Sequence, residues 1–356
     1  MYEVIVIGGG QAGLAAGYYL KKAGKQFIML DEQAKTGDSW RNRYNSLVLF
    51  TPRSYSSLPG MEMAGDPDGF PDKDEVADYL SAYRERFDLP VSYLQQVVKL
   101  RQSGTGYSIL TEQGTAYHAK KVVIATGAFN KPYVPAFAKS ISPDVFQIHA
   151  SAYRNPSQIP EGRVLIVGAG NTGVQIAVEL SQSRDVTVSC GRKAKTIPQK
   201  IFGKSIFYWF GKIGLLSVKN HSKVGKWLKA NEPLIGSDLK IAKRGADFVP
   251  RLTRFDGKTA HFTDGQQKEV DAVIWSTGYQ NDYQWIDIPN VLDDKGRPVH
   301  RRGESLVPGL YFIGLPWQHK RGSALIYGVG EDAEFLVQRI GQENASHTPS
   351  ARLRHS

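Results

Sequence analysis

Two six-residue stretches carry the most readily named chemistry. Gly8-Gly9-Gly10-Gln11-Ala12-Gly13 and Gly168-Ala169-Gly170-Asn171-Thr172-Gly173 both fit G-x-G-x-x-G. In that pattern the first glycine allows a tight turn, the second lets backbone approach a pyrophosphate, and the third lets a helix pack closely on a strand. The amide N–H groups of the helix start then meet the phosphates. A lone match is weak evidence in a chain with 36 glycines. Here each match follows a short β-type run, Val4 to Ile7 or Val164 to Val167, and opens a helical stretch. Two dinucleotide sites about 160 residues apart are expected. A looser third match, Gly328-Val329-Gly330-Glu331-Asp332-Ala333, is rejected, because Glu331 and Asp332 would set two carboxylates where a helix start should hold a pyrophosphate.

The two sites differ at the end of the second strand. Counting 21 residues on from the second glycine, Gly10 leads to Asp31, a carboxylate able to accept hydrogen bonds from ribose hydroxyls. By the same count Gly170 leads to Gly191, followed by Arg192 and Lys193, which suit a ribose 2′-phosphate. The first site is therefore expected to take a nucleotide with free ribose hydroxyls, and the second NADPH. Arg192 and Lys193 also admit the plainer reading of solvated loop cations.

Other chemistries find no residues. Cys190 is the single cysteine, which removes disulfide frameworks, thiolate zinc sites and a Cys-x-x-Cys dithiol; it reads as a small buried hydrophobe. The eight histidines show no metal-ligand spacing, so no metal is expected.

The elements that must position these residues follow from periodicity. Tyr2 to Ile7, Gln11 to Ala23 and Gln26 to Asp31 read as a βαβ opening. A helix from Lys73 to Phe87 is introduced by Pro71 and Asp72, and a buried strand runs from Lys121 to Ala125 into Thr126-Gly127. A proline-marked connector leads to a second βαβ unit: strand Arg163 to Val167, helix Asn171 to Gln182, strand Val186 to Ser189. Asp271 to Ser276 runs into Thr277-Gly278 as the earlier strand ran into Thr126-Gly127, and a last strand, Gly309 to Gly314, precedes a terminal helix containing Asp332 to Ile340. The expected fold class is α/β with two Rossmann-like dinucleotide-binding domains. The boundaries are 1–158 for the first part of one domain, 159–279 for the inserted domain, 280–341 for the second part of the first, and 342–356 for a flexible tail.

With 41% hydrophobic and 22% charged residues the chain reads as folded and globular. Its net charge of +11 is concentrated: Arg192 to Arg251 holds 14 Lys and Arg against Glu232, Asp238 and Asp247, an excess equal to that of the whole chain. No nucleic-acid module accompanies this patch, and no nucleic-acid partner is expected. No transmembrane segment is expected either, the default compartment is the cytoplasm, and the oligomeric state is not legible. Within the basic stretch, Ile206 to Lys229 alternates Phe207, Trp209, Phe210, Ile213, Leu215 and Leu216 with lysines. It reads as a lid over a substrate pocket, with a surface helix on anionic lipid, a peripheral membrane contact, as the other reading.

In order and spacing, a set of motifs resembles the flavin-containing monooxygenase superfamily over nearly the whole chain. The set is Gly8-x-Gly10-x-x-Gly13, Gly37-x-x-Trp40, Ala125-Thr126-Gly127, His149-x-x-x-Tyr153, Gly168-x-Gly170-x-x-Gly173, Ser276-Thr277-Gly278-Tyr279 and Gly309 to Gly314. The likeness is nearest to the short bacterial members named as flavoproteins associated with cation transport. It implies FAD in the first site, against Gly8, Gly10, Gly13, Asp31, Trp40, Thr126, Gly127 and Gly314. It implies NADPH in the second, against Gly168, Gly170, Asn171, Thr172, Gly173, Arg192, Lys193, Thr277 and Gly278, with the FAD domain interrupted by the NADPH domain. The implied activity is monooxygenation, with dioxygen, of a small soft nucleophile, a sulfide or amine, with ketones as a further class, through a flavin C4a-hydroperoxide. An NADPH reductase or oxidase without oxygenation, and a flavoprotein redox sensor linked to transport, remain as alternatives.

The chain departs from the family pattern in places. Only the His149-x-x-x-Tyr153 half of a longer fingerprint is present, and that pair reads as a hydrogen-bonded hinge ahead of a catalytic role. Asp38 follows Gly37, where a carboxylate beside phosphates must point away. Leu49-Phe50-Thr51-Pro52 stands where relatives set an asparagine beside the flavin, so no catalytic residue is assigned.

Overall fold

The computed structural model describes residues 1–191, 196–236 and 238–345. Val4, Ile5, Val6 and Ile7 are all buried, as befits a parallel strand covered on both faces. Strand Tyr2–Ile7 runs parallel to Phe27–Leu30 on one side and to Ala116–Ile124 on the other. Val91–Ser92 continues the sheet beyond the first of these and Leu310–Phe312 beyond the second, both parallel. Short antiparallel strands His300–Arg301 and Glu304–Ser305 finish that edge, and a hairpin of Val97–Ser103 and Gly106–Thr111 pairs antiparallel with Ala116–Ile124. Helices Gln11–Lys22, Lys73–Arg86 and Ile326–Ala345 cover one face through Leu14, Leu20, Leu80, Tyr83, Leu336 and Ile340. The helix at Lys73 starts where Asp72 directs it: the Asp72 carboxylate accepts the Asp74 and Glu75 N–H groups, and Glu75 accepts the Asp72 N–H in return.

The second sheet has five strands, all parallel, in the order Ala246–Val249, Asp185–Ser189, Arg163–Val167, Ala272–Trp275, Phe146–His149. Phe146–His149 lies upstream of residue 159 yet belongs to this sheet. The chain leaves the first sheet after Ile124 and returns to it through a parallel bridge of Ile286 to Leu100 and then strand His300–Arg301, so the second unit interrupts the first. Near the crossings, Lys131–Pro132 pairs antiparallel with Tyr279–Gln280.

Three further stretches bear on the sequence reading. The basic stretch folds, among its described residues, into helices Ile206–Lys212, Lys223–Ala230 and Asp238–Gly245, the first two capped by Ser205 and Ser222 hydroxyls. The terminal helix begins at Ile326 and reaches Ala345, past the expected tail boundary at 342, while 346–356 lie outside the described residues. The rejected match at Gly328 to Ala333 falls inside that helix, where Gly330 faces Pro59 and Glu331 pairs with Lys320.

Candidate dinucleotide sites

The two glycine-rich turns repeat one another. Gly8 and Gly168 have φ of +106° and +111°, and a Cβ on either would strike the strand-end carbonyl opposite, Ala125 O at 2.6 Å or Ser276 O at 2.2 Å. A Cβ on Gly13 or Gly173 would lie 1.9 or 2.0 Å from the carbonyl oxygen of Gly8 or Gly168. The first and third glycines are thus required by the protein's own packing. Gly10 and Gly170 are different. Their φ values, −74° and −75°, suit any residue, and nothing lies within 4 Å of where a Cβ would stand. Among the described glycines only Gly341, in the terminal helix, shares an ordinary backbone with such open space. Each second glycine precedes a helix with no side-chain cap and no acidic residue in its first turn, so the leading N–H groups, with Asn171 and Thr172 at the start of the second helix, are open to an anion.

Around the first turn, Gly314 (φ +79°) backs onto Ala12, and Thr126 lies against Gly8. The Thr126 hydroxyl is buried without a well-formed hydrogen bond; the Tyr283 hydroxyl beside it reaches instead to Gly127 O at 3.5 Å. The Trp40 indole N–H donates to Gln11 Oε1 at 3.2 Å, tying the Gly37 turn to the helix start. Asp38 accepts the Lys35 N–H and faces the Arg41 guanidinium at 3.4 Å. Asp31 is buried at the end of Phe27–Leu30, hard against Gly9, and accepts the Gln33 N–H. Burial raises its carboxyl pKa above the ordinary range, against the pull of the Gln33 and Gly9 N–H groups.

At the corresponding place in the second unit, Gly191 has no acid. Arg192 and Lys193 lie outside the described residues. The parallel register pairs Ser189 with Val249, which brings Gly191 and Arg251, two residues further on, side by side. The exposed Arg251 guanidinium stands 3.5 Å from the Gly191 Cβ position and has no ion pair among the described residues. Thr277 and Gly278 (φ +78°) follow strand Ala272–Trp275, the neighbour of Arg163–Val167, with the Thr277 hydroxyl donated to Tyr133 O. Sequence reading missed Arg251, since Ala246–Val249 carries no motif; the signal that finds it is the strand pairing.

His149 and Tyr153 bond within the second unit, His149 to the end of the strand beside its own and Tyr153 to helix Asn171–Leu180. His149 Nδ1 accepts the Ser151 N–H, leaving Nε2 to donate to Gly278 O at 3.1 Å, and burial lowers its pKa, which favours the neutral ring. Tyr153, fully buried, donates to Glu179, as does Ser46, and burial followed by the Glu179 charge holds its hydroxyl far above the usual phenol range. Arg43 stacks over Phe129 and Tyr279 and donates to the Tyr279 hydroxyl. The Ser46 contact with Glu179 and the Arg43 contact with Tyr279 hold the first unit against the second.

Next to Leu49, an apolar cluster gathers Phe50, Tyr55, Phe207, Phe210 and Tyr327. The Phe50 ring lies nearly parallel to Phe207, 6.1 Å between centroids. The Tyr327 hydroxyl is buried there with no hydrogen-bond partner, and burial pushes its pKa up to about 12. Among the described residues no group of three His, Cys, Asp or Glu side chains gathers as metal ligands.

Residues 5–207 match the family described as pyridine nucleotide-disulphide oxidoreductase. The chain is 52% identical to an uncharacterized CzcO-like oxidoreductase of Geobacillus kaustophilus, over 95% of this chain and 98% of that one. It is 25% identical to the indole-3-pyruvate monooxygenase YUCCA4 of Oryza sativa, over 95% and 87%. Its fold superposes on a flavin-containing monooxygenase of Stenotrophomonas maltophilia with a TM-score of 0.82 at 28% identity, covering 96% and 99% of the two chains. With two interleaved dinucleotide-type units and relatives of this kind, the chain belongs to the pyridine nucleotide-disulphide oxidoreductase family and is an oxidoreductase of the flavin-containing monooxygenase superfamily.

Proposed function

We propose that this chain oxygenates a small soft nucleophile, a sulfide or amine, with ketones as a further class, using FAD in the first site and NADPH in the second. The observation that carries the two-site part is the pair Gly10 and Gly170, glycines that neither backbone conformation nor protein packing calls for. A pyrophosphate against each turn accounts for both. In the first site Gly8, Gly10, Gly13, Trp40, Thr126, Gly127 and Gly314 would surround FAD, with Asp31 accepting from the ribose. In the second, Gly168, Gly170, Asn171, Thr172, Gly173, Thr277 and Gly278 would hold NADPH, with Arg192, Lys193 and Arg251 on its 2′-phosphate. Domain limits of 1–158, 159–279 and 280–341 belong to the same reading, with strand Phe146–His149 lent from the first segment to the second sheet, and the cytoplasm is its proposed compartment.

When bound, FAD supplies the two-electron relay from NADPH to dioxygen; one oxygen atom enters the substrate and the other leaves as water. The chain's own contribution is to bind, orient and exclude water. Phe50, Tyr55, Phe207 and Phe210 make a dry wall. The unspent Tyr327 hydroxyl is the polar group in that wall that a substrate heteroatom would meet. Tyr327→Phe is expected to leave the thermal midpoint unchanged or raised, since the hydroxyl lost has no partner, and to lower kcat/KM roughly tenfold, the worth of one hydrogen bond of about 1.4 kcal/mol. Thermal denaturation and steady-state kinetics check both halves.

Asp31 gives a second expectation. Because folding raises its pKa, the protonated carboxyl contributes stability that is full below the ordinary carboxylate pKa and is lost as pH rises through the raised one, so at neutral pH the ionised carboxylate is a cost to the apoprotein. Asp31→Asn should therefore keep or raise the apoprotein's midpoint at pH 7 while weakening FAD binding at least about tenfold. Fluorescence titration of apoprotein with FAD, beside a melting curve, measures both.

NADPH consumption followed together with product separates the readings. Sulfoxide formed in proportion to NADPH supports oxygenation, whereas hydrogen peroxide alone supports an oxidase. Electrons delivered to a quinone without dioxygen support a reductase, and reduction without steady turnover supports a redox sensor.

A further inference from the structure

Helices Ile206–Lys212 and Lys223–Ala230 use only part of their apolar residues inside the protein. Ile206, Phe207 and Phe210 are buried, but Phe202 is 92% exposed, Ile213 71%, Trp227 61% and Val224 51%. The only buried residue of Lys223–Ala230 is Gly225, so this helix offers Val224 and Trp227, one turn apart, to solvent. Phe202 touches the Trp209 ring, and Ile213 follows Trp209 by one turn of helix. In the same stretch of chain Lys212, Lys219, Lys223, Lys226 and Lys229 have no ion pair among the described residues, and Glu232 is already taken by Arg321. Large apolar tips set among unpaired lysines are the composition of a surface that rests on an anionic bilayer, with rings at headgroup depth and ammonium groups on lipid phosphates. A second copy of this chain is a poorer occupant, because a twofold contact would set the same lysines against themselves. Among the described residues no helix is long and apolar enough to cross a membrane, so such a contact would be peripheral.

We propose that the surface carrying Phe202, Ile213, Val224 and Trp227 with Lys212 to Lys229 docks the enzyme on anionic lipid membranes. The test is flotation of the full-length protein with vesicles of phosphatidylcholine alone or with about a third phosphatidylglycerol, at about 50 and 500 mM salt. Binding is expected to the anionic vesicles at low salt, to fall at high salt, and to be weak on phosphatidylcholine throughout. Lys226→Ala should weaken it about fivefold and Lys223→Ala with Lys226→Ala about 25-fold, whereas Lys226→Arg should retain it. Trp227→Ala should also reduce it, and NADPH turnover in solution should not change in any of these variants. Absence of flotation at low salt, equal binding to uncharged vesicles, or indifference to the lysine and tryptophan changes would overturn the proposal. So would a concentration-dependent dimer, seen by sedimentation, that Trp227→Ala dissolves, since the patch would then be a protein interface.

Discussion

Gly10→Ala is expected to give a folded protein without flavin, and Gly170→Ala a yellow protein that no longer takes NADPH. Both positions have extended backbone with negative φ and open space where the methyl would go, so neither change disturbs the protein itself. A methyl pressed into the place of a pyrophosphate costs on the order of 1–3 kcal/mol, which is about ten- to a hundredfold in affinity, and more if the helix start must withdraw. Gly13→Ala is the contrasting case. Its Cβ would lie 1.9 Å from Gly8 O, so it should lower stability whether or not a nucleotide is present. The ratio of flavin to protein absorbance, NADPH titration and melting curves for the three variants separate ligand effects from folding effects. Full flavin content in Gly10→Ala would detach the first turn from FAD.

Arg251→Ala is expected to weaken NADPH binding about ten- to a hundredfold and to leave NADH binding nearly unchanged. A charge-assisted hydrogen bond to a phosphate is worth about 1.5–3 kcal/mol, and only the 2′-phosphate distinguishes the two nucleotides. Arg251 stands beside Gly191, the place where the first unit has Asp31, and no carboxylate engages it among the described residues. Arg192→Ala should act in the same direction, because both cations are assigned to the same group. Dissociation constants for NADP+ and NAD+, taken by calorimetry without turnover, are the readout. An unchanged ratio in Arg251→Ala would remove it from the site.

What was legible in the sequence was local. A glycine-rich turn declares itself because its φ angles and close approaches are properties of a few consecutive residues, and the buried parallel strands on either side declare themselves as apolar runs. Asp72 and Glu75 mark a helix start for the same reason. Arg251 was not legible, because its meaning comes from a strand pairing that joins Ser189 to Val249 across 60 residues. Tyr327 was hidden likewise: it comes to Tyr55 and Phe207 through tertiary packing, from the start of a helix whose glycines imitate a phosphate turn. Phe50 shows the limit of reading by position. Its place in the chain points to the flavin, while its ring is spent on Phe207, so an amide put there by Phe50→Asn would sit against an apolar wall.

The central claim is that electrons from NADPH place an atom of dioxygen on a soft nucleophile. The most direct test is turnover of the flavin-loaded enzyme with NADPH and methyl phenyl sulfide under oxygen-18 gas, with mass analysis of the sulfoxide and assay of hydrogen peroxide. The expected result is sulfoxide carrying one labelled oxygen, with sulfoxide and peroxide together accounting for the NADPH consumed. NADPH consumption recovered wholly as hydrogen peroxide, with no labelled product from the sulfide or from an amine or ketone in its place, would contradict it.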